Sequence, residues 1–536
     1  MTPSTLTNST MNTVDSDVIP PMIIARARTL VLCFDGTGDQ FDSDNSNVVQ
    51  FFSLLKKDDH TQQMVYYQTG IGTYTVPQVA TPLASSFSKL VDEAIAWHLD
   101  AHVMDGYTFL MQNYQVGDKI CLFGFSRGAY TARALAGMIQ KVGVSKRSTP
   151  SRVRAHFFHD QVGLLPAANH QQVPFAYKMY KNTSQHGWKQ SSAFKKAFSI
   201  DVDVEFVGVW DTVCSVGLIS RRLPFVSSNK CIRYFRHAVS LDERRAKFKA
   251  NLYNRPTQAE LDLGLRPGEM PKSKPKGFDK IAQTFKKVVK ETTAEIVEVL
   301  DKGQREELEQ AKYEEGFDLH NQDNTETDVD EVWFAGCHCD VGGGSVSNEE
   351  RHSLARIPLR WMIRECFRTQ TGIRFHSSLL PNVGLNPDSL YPEVRERPAA
   401  IYAPLAATAG APNHRRGATD GTLVNDVHTQ TLSEEQEDLF DALSGKYDQL
   451  SIKKSWWLLE LLPLTQRFQK DDDDWVDQMI PFSINRGRPR YIPDQKRLGF
   501  KVHRSVDIRM KAENVEGNGK KYRPRAVFRA DPTWVA

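Results

Sequence analysis

The chain has 536 residues and a formal net charge of +3. Hydrophobic residues make up 40% of it and charged residues 25%, which is the balance of an ordinary globular protein. The nearly balanced charge argues against nucleic-acid binding, and no apolar run reaches the roughly 18 residues of a membrane-spanning helix.

The N-terminal segment, residues 1–24, is rich in Ser, Thr and Asn. It lacks the basic start and apolar core of a signal peptide, so we predict a disordered tail. The seven cysteines are odd in number and mostly lie within apolar runs, which favours reduced, buried thiols and a cytoplasmic protein. Cys337 and Cys339 have no second cysteine pair at zinc-binding spacing, so we expect no metal.

The first predicted strand covers residues 28–34 and leads into an Asp-Gly-Thr-Gly loop. Haloacid dehalogenase-like phosphatases carry the pattern D-x-D-G-T, but Cys33 stands where their nucleophilic aspartate would be. We favour a different interpretation, in which Gly36 or Thr37 offers a backbone N–H group to an oxyanion. The next predicted elements are a helix (48–56), a strand (64–67) and a long amphipathic helix (88–114).

Residues 118–123 form an apolar strand pattern that runs into Gly124-Phe-Ser-Arg-Gly128 and then into a predicted helix over 129–141. This is the G-x-S-x-G nucleophile elbow in its strand–turn–helix context. The helix N-terminus can stabilise an oxyanion beside the serine. We therefore predict Ser126 as a nucleophile and the Arg127 N–H as an oxyanion donor. The alternative is an idle serine in a Gly-rich turn.

Two later predicted strands end in side chains that can complete such a site. Asp211 follows one of them, and His338 follows another just before three consecutive glycines. A serine needs an imidazole to remove its proton, and the imidazole needs a carboxylate to orient it. The chain order Ser126, Asp211, His338 is that of α/β hydrolases. We predict these residues as nucleophile, acid and base, with Asp340 and Asp35 as rivals for the acid.

Alternation of strands and helices predicts an α/β fold, namely an α/β-hydrolase-like, mostly parallel sheet flanked by helices. We divide the rest of the chain into a hydrolase domain at 25–375 and a C-terminal helical and loop extension at 376–536 that packs on it. A charged helical insertion at 255–330 interrupts the domain. Other predicted elements are helices at 236–248, with a structural His237, and 433–464, and strands at 484–491 and 501–509.

Five motifs occur in a fixed order: LCFDGT (32–37), GFSRGAYTAR (124–133), VWDTV (209–213), HAVSLDERR (237–245) and WFAGCHCDVGGG (333–344). Together they resemble the uncharacterised α/β hydrolase family that includes the catalytic domain of bacterial type VI secretion phospholipase effectors. The resemblance spans about residues 28–370. It implies a Ser–Asp–His hydrolase without a cofactor, with Ser126, Asp211 and His338 in those roles, and phospholipid acyl-ester cleavage.

The leading hypothesis is a serine hydrolase that cleaves a carboxylic ester through an acyl-enzyme, with a phospholipid or another lipid ester as the favoured substrate. The alternative is a catalytically silent hydrolase-fold scaffold that binds a partner or a membrane surface. The aromatic and leucine-rich residues 456–464 fit a peripheral membrane contact or a core helix that caps the site, and we favour the core helix.

Overall fold

The fold is seen in a computed structural model of the chain. The residues that it describes are 18–19, 28–36, 39–70, 99–141, 163–182, 185–200, 202–213, 223–229, 231–253, 327–402, 432–461, 466–469, 475–478, 484–493, 495–496, 498–513, 515 and 520–536. The predicted insertion lies outside these residues except for 327–330, and most of the predicted N-terminal tail also lies outside them.

The strands of the described residues are β1 (Val18–Ile19), β2 (Thr29–Phe34), β3 (Gln63–Gln68), β4 (Lys119–Phe125), β5 (Val204–Trp210), β6 (Ile232–Ser240), β7 (Asp328–Phe334), β8 (Phe375–His376), β9 (Gln466–Gln469), β10 (Trp475–Gln478), β11 (Lys501–His503) and β12 (Thr533–Val535). Eight of them form a central sheet in the order β12-β11-β7-β6-β5-β4-β2-β3. Every neighbouring pair in this sheet is parallel.

Helices flank the sheet: α1 (Asn47–Leu54), α2 (Leu99–Asn113), α3 (Ser126–Lys141), α4 (Val173–Lys181), α5 (Gln185–Phe198), α6 (His338–Gly342), α7 (Arg356–Arg368), α8 (Glu434–Leu443), α9 (Gln449–Ile452), α10 (Trp456–Glu460) and α11 (Arg504–Lys511). The predicted fold class, a mostly parallel sheet flanked by helices, is confirmed.

Strands β2, β4 and β5 at the centre of the sheet are largely apolar, because both faces of the sheet are covered. In β2, Leu30 and Leu32 pack with residues of α2, α3 and α4, whereas Val31 and Cys33 pack with residues of α1 and α7. Successive side chains of a strand point to opposite faces, so one continuous apolar run supplies two separate cores.

The predicted helix at 236–248 is wrong, because its first half belongs to strand β6 between β5 and β7. Charged side chains at both ends of this segment are buried and paired. Arg236 bonds to Glu365 at 2.6 Å, and Arg245 bonds to Glu243 at 2.8 Å. His237 is buried in the sheet and contacts Glu331 at 2.9 Å, so it has the structural environment that was predicted for it.

The C-terminal predictions are only partly right. The predicted strand at 501–509 stops after three residues, because the His503 side chain caps α11 at its start. No strand is assigned at 484–491, and the predicted helix at 433–464 is divided into α8, α9 and α10. Strands β11 and β12 show that the C-terminal extension contributes to the central sheet itself.

Two further corrections concern the segments predicted to lie outside the core. Val18–Ile19 of the predicted tail pairs as a strand with Phe375–His376. Residues 328–330, placed at the end of the insertion, belong to β7 and pair with β6. Within the described part of the chain, no helix has the length and apolar character needed to cross a bilayer.

Candidate active site

Ser126 stands at the turn between β4 and α3, with a left-handed backbone angle φ of 57°. Such a conformation is strained for a residue with a side chain, and it depends on close packing around the turn. A Cβ atom on Gly124 would lie 2.5 Å from the Gly128 oxygen, and one on Gly128 would lie 2.2 Å from the Phe34 oxygen. Both glycines are therefore required by the close approach of backbone on either side of Ser126.

Three of the predicted residues are joined by hydrogen bonds. The Nδ1–H of His338 donates to Asp211 Oδ2 at 2.5 Å, which leaves Nε2 to accept from the Ser126 hydroxyl at 2.8 Å. Parallel strands bring them together: Ser126 follows β4, Asp211 follows β5, and His338 begins the helix that closely follows β7. All three side chains are buried at the carboxyl edge of the sheet.

The surroundings set opposite charge states for the acid and the imidazole. Burial opposes ionisation of Asp211, but the Arg490 guanidinium and His338 outweigh it and hold the pKa of that carboxyl well below its usual range. Burial lowers the pKa of His338 below that of an ordinary histidine, and the bond to Asp211 offsets this only in part. At neutral pH the pair is therefore an ionised carboxylate beside a neutral imidazole, which is the state of a general base.

Aromatic rings fix the His338 imidazole on two sides. The Phe125 ring centroid lies 4.7 Å from that of His338, and the Phe248 centroid lies 4.8 Å from it. The Arg245 guanidinium covers Phe248 at 3.5 Å from the ring centroid. Arg245 is paired with buried Glu243, and its charge outweighs burial to lower the pKa of that carboxyl to about 2. The imidazole thus lies in a packed site with little rotational freedom.

The two rival acids bond elsewhere in the structure. Asp35 accepts from the Ser46 hydroxyl at 2.6 Å and the Tyr67 hydroxyl at 2.7 Å. Asp340 accepts backbone N–H groups of Cys337 and Tyr447, and burial raises its pKa to about 7. Among the described contacts, Asp211 is thus the carboxylate bonded to the imidazole of His338.

The structure describes two of the three residues predicted as oxyanion donors. The Gly36 N–H donates to the Asp35 carboxylate at 2.8 Å. In this structure it is therefore engaged with that carboxylate and does not point towards an oxyanion. Thr37 lies outside the described residues. Arg127 occupies the second position of α3, directly after Ser126, where helix N–H groups point towards the N-terminal end. Its role as a donor stays a prediction.

Arg490 is a residue of the site that sequence reasoning missed. It donates to both carboxylate oxygens of Asp211, at 2.5 and 2.9 Å. The segment that carries it was predicted as a strand-like piece of the tail. Arg486 and Arg488 occupy equivalent alternate positions nearby, so no sequence signal distinguishes the one arginine that reaches the acid. No group of three or more metal-ligating side chains occurs within the described ranges.

The family described as the catalytic domain of the Tle1-like phospholipase effectors of the type VI secretion system matches residues 28–158 and 151–365. The chain belongs to this family. The resemblance predicted from the five motifs is thereby confirmed. Membership of a family described by its phospholipase effectors supports an enzyme of the hydrolase, phospholipase class.

Other similar proteins include an uncharacterised protein of Saccharomyces cerevisiae, YEL023C. It is 28% identical over 580 residues, covering 94% of this chain and 82% of the yeast protein. Among solved structures, an uncharacterised protein from Pseudomonas aeruginosa aligns with TM-score 0.30 and 15% identity, over 65% of this chain and 46% of that one. The Tle1 effector bound to the VgrG spike aligns with TM-score 0.25 and 16% identity, over 61% and 53%. The chain thus spans about half the length of these two solved chains.

Proposed function

We propose that the protein is a serine hydrolase that cleaves a carboxylic ester of a lipid, with a phospholipid as the substrate class. The observation that carries the proposal is the buried chain of hydrogen bonds from Ser126 through His338 to Asp211. A serine hydroxyl becomes nucleophilic when an oriented imidazole takes its proton. Membership of the Tle1-like phospholipase effector family supports a phospholipid as the substrate class.

In the first half of the reaction, Ser126 Oγ attacks the carbonyl carbon of the ester and His338 Nε2 takes its proton. The oxygen of the tetrahedral intermediate becomes an oxyanion, for which we assign the Arg127 N–H as a donor. One donor of this kind is worth about 2.7–4 kcal/mol of transition-state stabilisation. The intermediate then collapses: the C–O bond to the alcohol breaks, and His338 returns the proton to the leaving alcohol oxygen.

In the second half, water attacks the acyl-enzyme while His338 again acts as the base. The carbonyl–Ser126 bond breaks, the serine recovers its proton and the fatty acid leaves. Asp211 keeps Nδ1 protonated, so Nε2 faces the serine at both stages. The carboxylate also stabilises the positive charge that the imidazole carries transiently.

The reaction can be tested with the full-length wild-type protein on two substrates, a short-chain nitrophenyl ester and a diacyl phospholipid in vesicles. We expect nitrophenol from the first, and a fatty acid with a lysophospholipid from the second. Release of the phosphorylated headgroup would contradict acyl-ester cleavage. Absence of products from both substrates would favour the catalytically silent scaffold.

We also propose that the surface around α9 and α10 contacts the lipid. Four apolar side chains there are exposed, and Lys453 and Lys454 beside them are exposed as well. The apolar four are Ile452, Trp457, Leu458 and Leu461. Apolar side chains flanked by cations match an anionic lipid surface. The core helix favoured for residues 456–464 is therefore wrong for Trp457, Leu458 and Leu461, which are exposed.

The position of this surface next to the site supports the same proposal. Trp456, at the start of α10, packs edge-on against Phe248 with ring centroids 5.6 Å apart. Phe248 in turn contacts the His338 ring. A lipid bound at this surface therefore has only a short distance to cover before its ester reaches Ser126.

Replacing Ile452 and Leu458 together with serine should lower hydrolysis of lipid in anionic vesicles about tenfold, because apolar area no longer enters the bilayer. Hydrolysis of the soluble nitrophenyl ester should stay at the wild-type rate. Val116→Ser is the matched control, since Val116 is 95% exposed in the turn before β4, at the opposite edge of the sheet. An unchanged vesicle rate in the double variant would refute the lipid contact.

A further inference from the structure

Arg490 is an arginine of the C-terminal region that is buried against the acid of the proposed site, with only 3% of its surface exposed. It lies 279 residues after Asp211 in the chain, beyond the matched family region that ends at residue 365. Its two terminal nitrogens donate in parallel to the two oxygens of the Asp211 carboxylate. A bidentate pair of this kind fixes the plane of the carboxylate as well as its charge.

The same guanidinium connects three parts of the site. Its Nη1 donates to the Ser240 hydroxyl at 2.8 Å, at the end of β6, and its Nε donates to the Phe248 carbonyl at 3.0 Å. Phe248 is the residue whose ring packs on the His338 imidazole. Arg490 therefore holds the orienting acid and the backbone of one of the rings that confine the base.

The segment that carries Arg490 is itself anchored by a buried glutamate at the end of α10. Glu460 accepts from the Gly487 N–H at 2.9 Å and the Asn485 side chain at 2.5 Å. Its other oxygen accepts the Ala246 N–H at 2.6 Å, in the loop that leads to Phe248. The position of the guanidinium is thus fixed by the fold of the C-terminal region rather than by Asp211 alone.

The charge of Arg490 affects the proton affinity of both partners in the site. Asp211 is completely buried, and a buried carboxylate is costly without a fixed counter-charge. If the guanidinium were removed, both Asp211 and His338 would lose a nearby positive charge and would bind protons more readily. The general base would then be protonated over a wider range of pH.

We infer that Arg490 is a positioning residue for the reaction: it holds the Asp211 carboxylate ionised and aligned, so that His338 presents Nε2 to Ser126. This inference rests on the proposed function. The catalytic unit then extends beyond the matched family region, because Arg490 of the C-terminal extension holds the Asp211 carboxylate in place. Arg490 acts through Asp211, so its loss should change the chemical step and leave substrate binding intact.

The test compares Arg490→Gln and Arg490→Lys with wild type on the soluble nitrophenyl ester, over a range of pH. Arg490→Gln should lower kcat about 10²-fold through misplacement of the base, with little change in KM. Its acid limb of kcat/KM should move to higher pH. Arg490→Lys keeps the charge but loses the bidentate geometry. Its acid limb of kcat/KM should therefore lie at the wild-type pH, while its kcat remains below that of wild type.

Arg509→Gln is the matched control. Arg509 is equally buried in the C-terminal region, but it donates to the carbonyl oxygens of Ala442 and Ser444. It should lower thermal stability without moving the pH profile. If Arg490→Gln loses activity only in proportion to its loss of stability, with an unshifted acid limb, the inference is overturned.

A readout that needs no turnover separates this inference from the proposed function. In protein labelled with 15N-histidine, with the His338 signal assigned by its absence from His338→Gln, the imidazole should titrate at higher pH in Arg490→Gln. If the wild type hydrolyses no ester but this shift appears, the proposed function fails and the link from Arg490 to the base stands. An unchanged titration in Arg490→Gln would overturn the inference whether or not the enzyme is active.

Discussion

Replacing Ser126 with alanine should lower turnover of the nitrophenyl ester about a million-fold, while the protein keeps its fold. The hydroxyl that His338 activates is the only group removed, and loss of a nucleophile of this type costs about 2 × 10⁶ in kcat. Both serine and alanine carry a Cβ, so the backbone strain at φ 57° is the same in the two proteins. We therefore expect a thermal midpoint within a few degrees of wild type, measured by calorimetry.

Ser191→Ala is the matched control for this substitution. Ser191 is also a buried serine on a helix, and its hydroxyl donates to the Gly187 carbonyl at 2.8 Å, remote from His338 in the described contacts. Its replacement should leave turnover at the wild-type level. Turnover by Ser126→Ala above about 1% of the wild-type rate would mean that another group attacks the ester.

Replacing Asp211 with asparagine should lower kcat about 10⁴-fold. An amide in this position can donate to Nδ1 and thereby favours the wrong tautomer of the imidazole, an effect of about this size in serine proteases. Folding stability should fall as well, by about 3–5 kcal/mol, because the buried Arg490 guanidinium loses its counter-charge. Stopped assays on the ester and denaturant unfolding measure the two effects separately.

The stability effect has a definite pH dependence. The pKa of Asp211 is held below its usual range by Arg490 and His338 against the effect of burial. A carboxyl with a depressed pKa stabilises the folded state above its unfolded pKa, and that contribution disappears as pH falls towards the folded value. The stability advantage of wild type over Asp211→Asn should therefore be complete at neutral pH and decrease in strong acid.

Asp438→Asn is the control that separates lost stability from lost catalysis. Asp438 is as buried as Asp211 and forms ion pairs with Arg360 at 2.7 Å and with Arg397 at 2.9 Å. Its replacement also removes a buried counter-charge, so stability should fall by a similar amount. The folded fraction should keep wild-type kcat. Equal losses of kcat in the two variants would assign the Asp211 effect to unfolding.

The parts of the site that sequence could predict are those fixed by local chain geometry. The elbow around Ser126 is local because its glycines and its strand-to-helix turn are contiguous. Asp211 and His338 could be placed beside it because the carboxyl ends of parallel strands meet at one edge of a sheet. The structure places both within hydrogen-bond distance in one connected chain. Their catalytic roles are the proposal that the experiments above test.

The features that sequence could not predict depend on tertiary partners. The segment 236–248 was predicted as a helix, because the sequence alone does not show that β6 lies between two strands or that Arg236 and Arg245 are paired inside the protein. Arg490 cannot be distinguished from its neighbouring arginines, because its partner lies 279 residues away. The Gly36 N–H was assigned to an oxyanion since the loop has the right position, but the preceding carboxylate accepts its hydrogen bond.

Covalent labelling with a fluorophosphonate tests directly whether Ser126 is an activated nucleophile. The probe reacts with a serine only when a neighbouring base activates it, so it reports the state of Ser126 without any assumption about the natural substrate. We expect one phosphonylated residue in the wild-type protein, located at Ser126 by mass spectrometry of the digest, and no label in Ser126→Ala. Labelling that persists in Ser126→Ala, or a folded wild-type protein that the probe fails to modify, would refute Ser126 as the nucleophile.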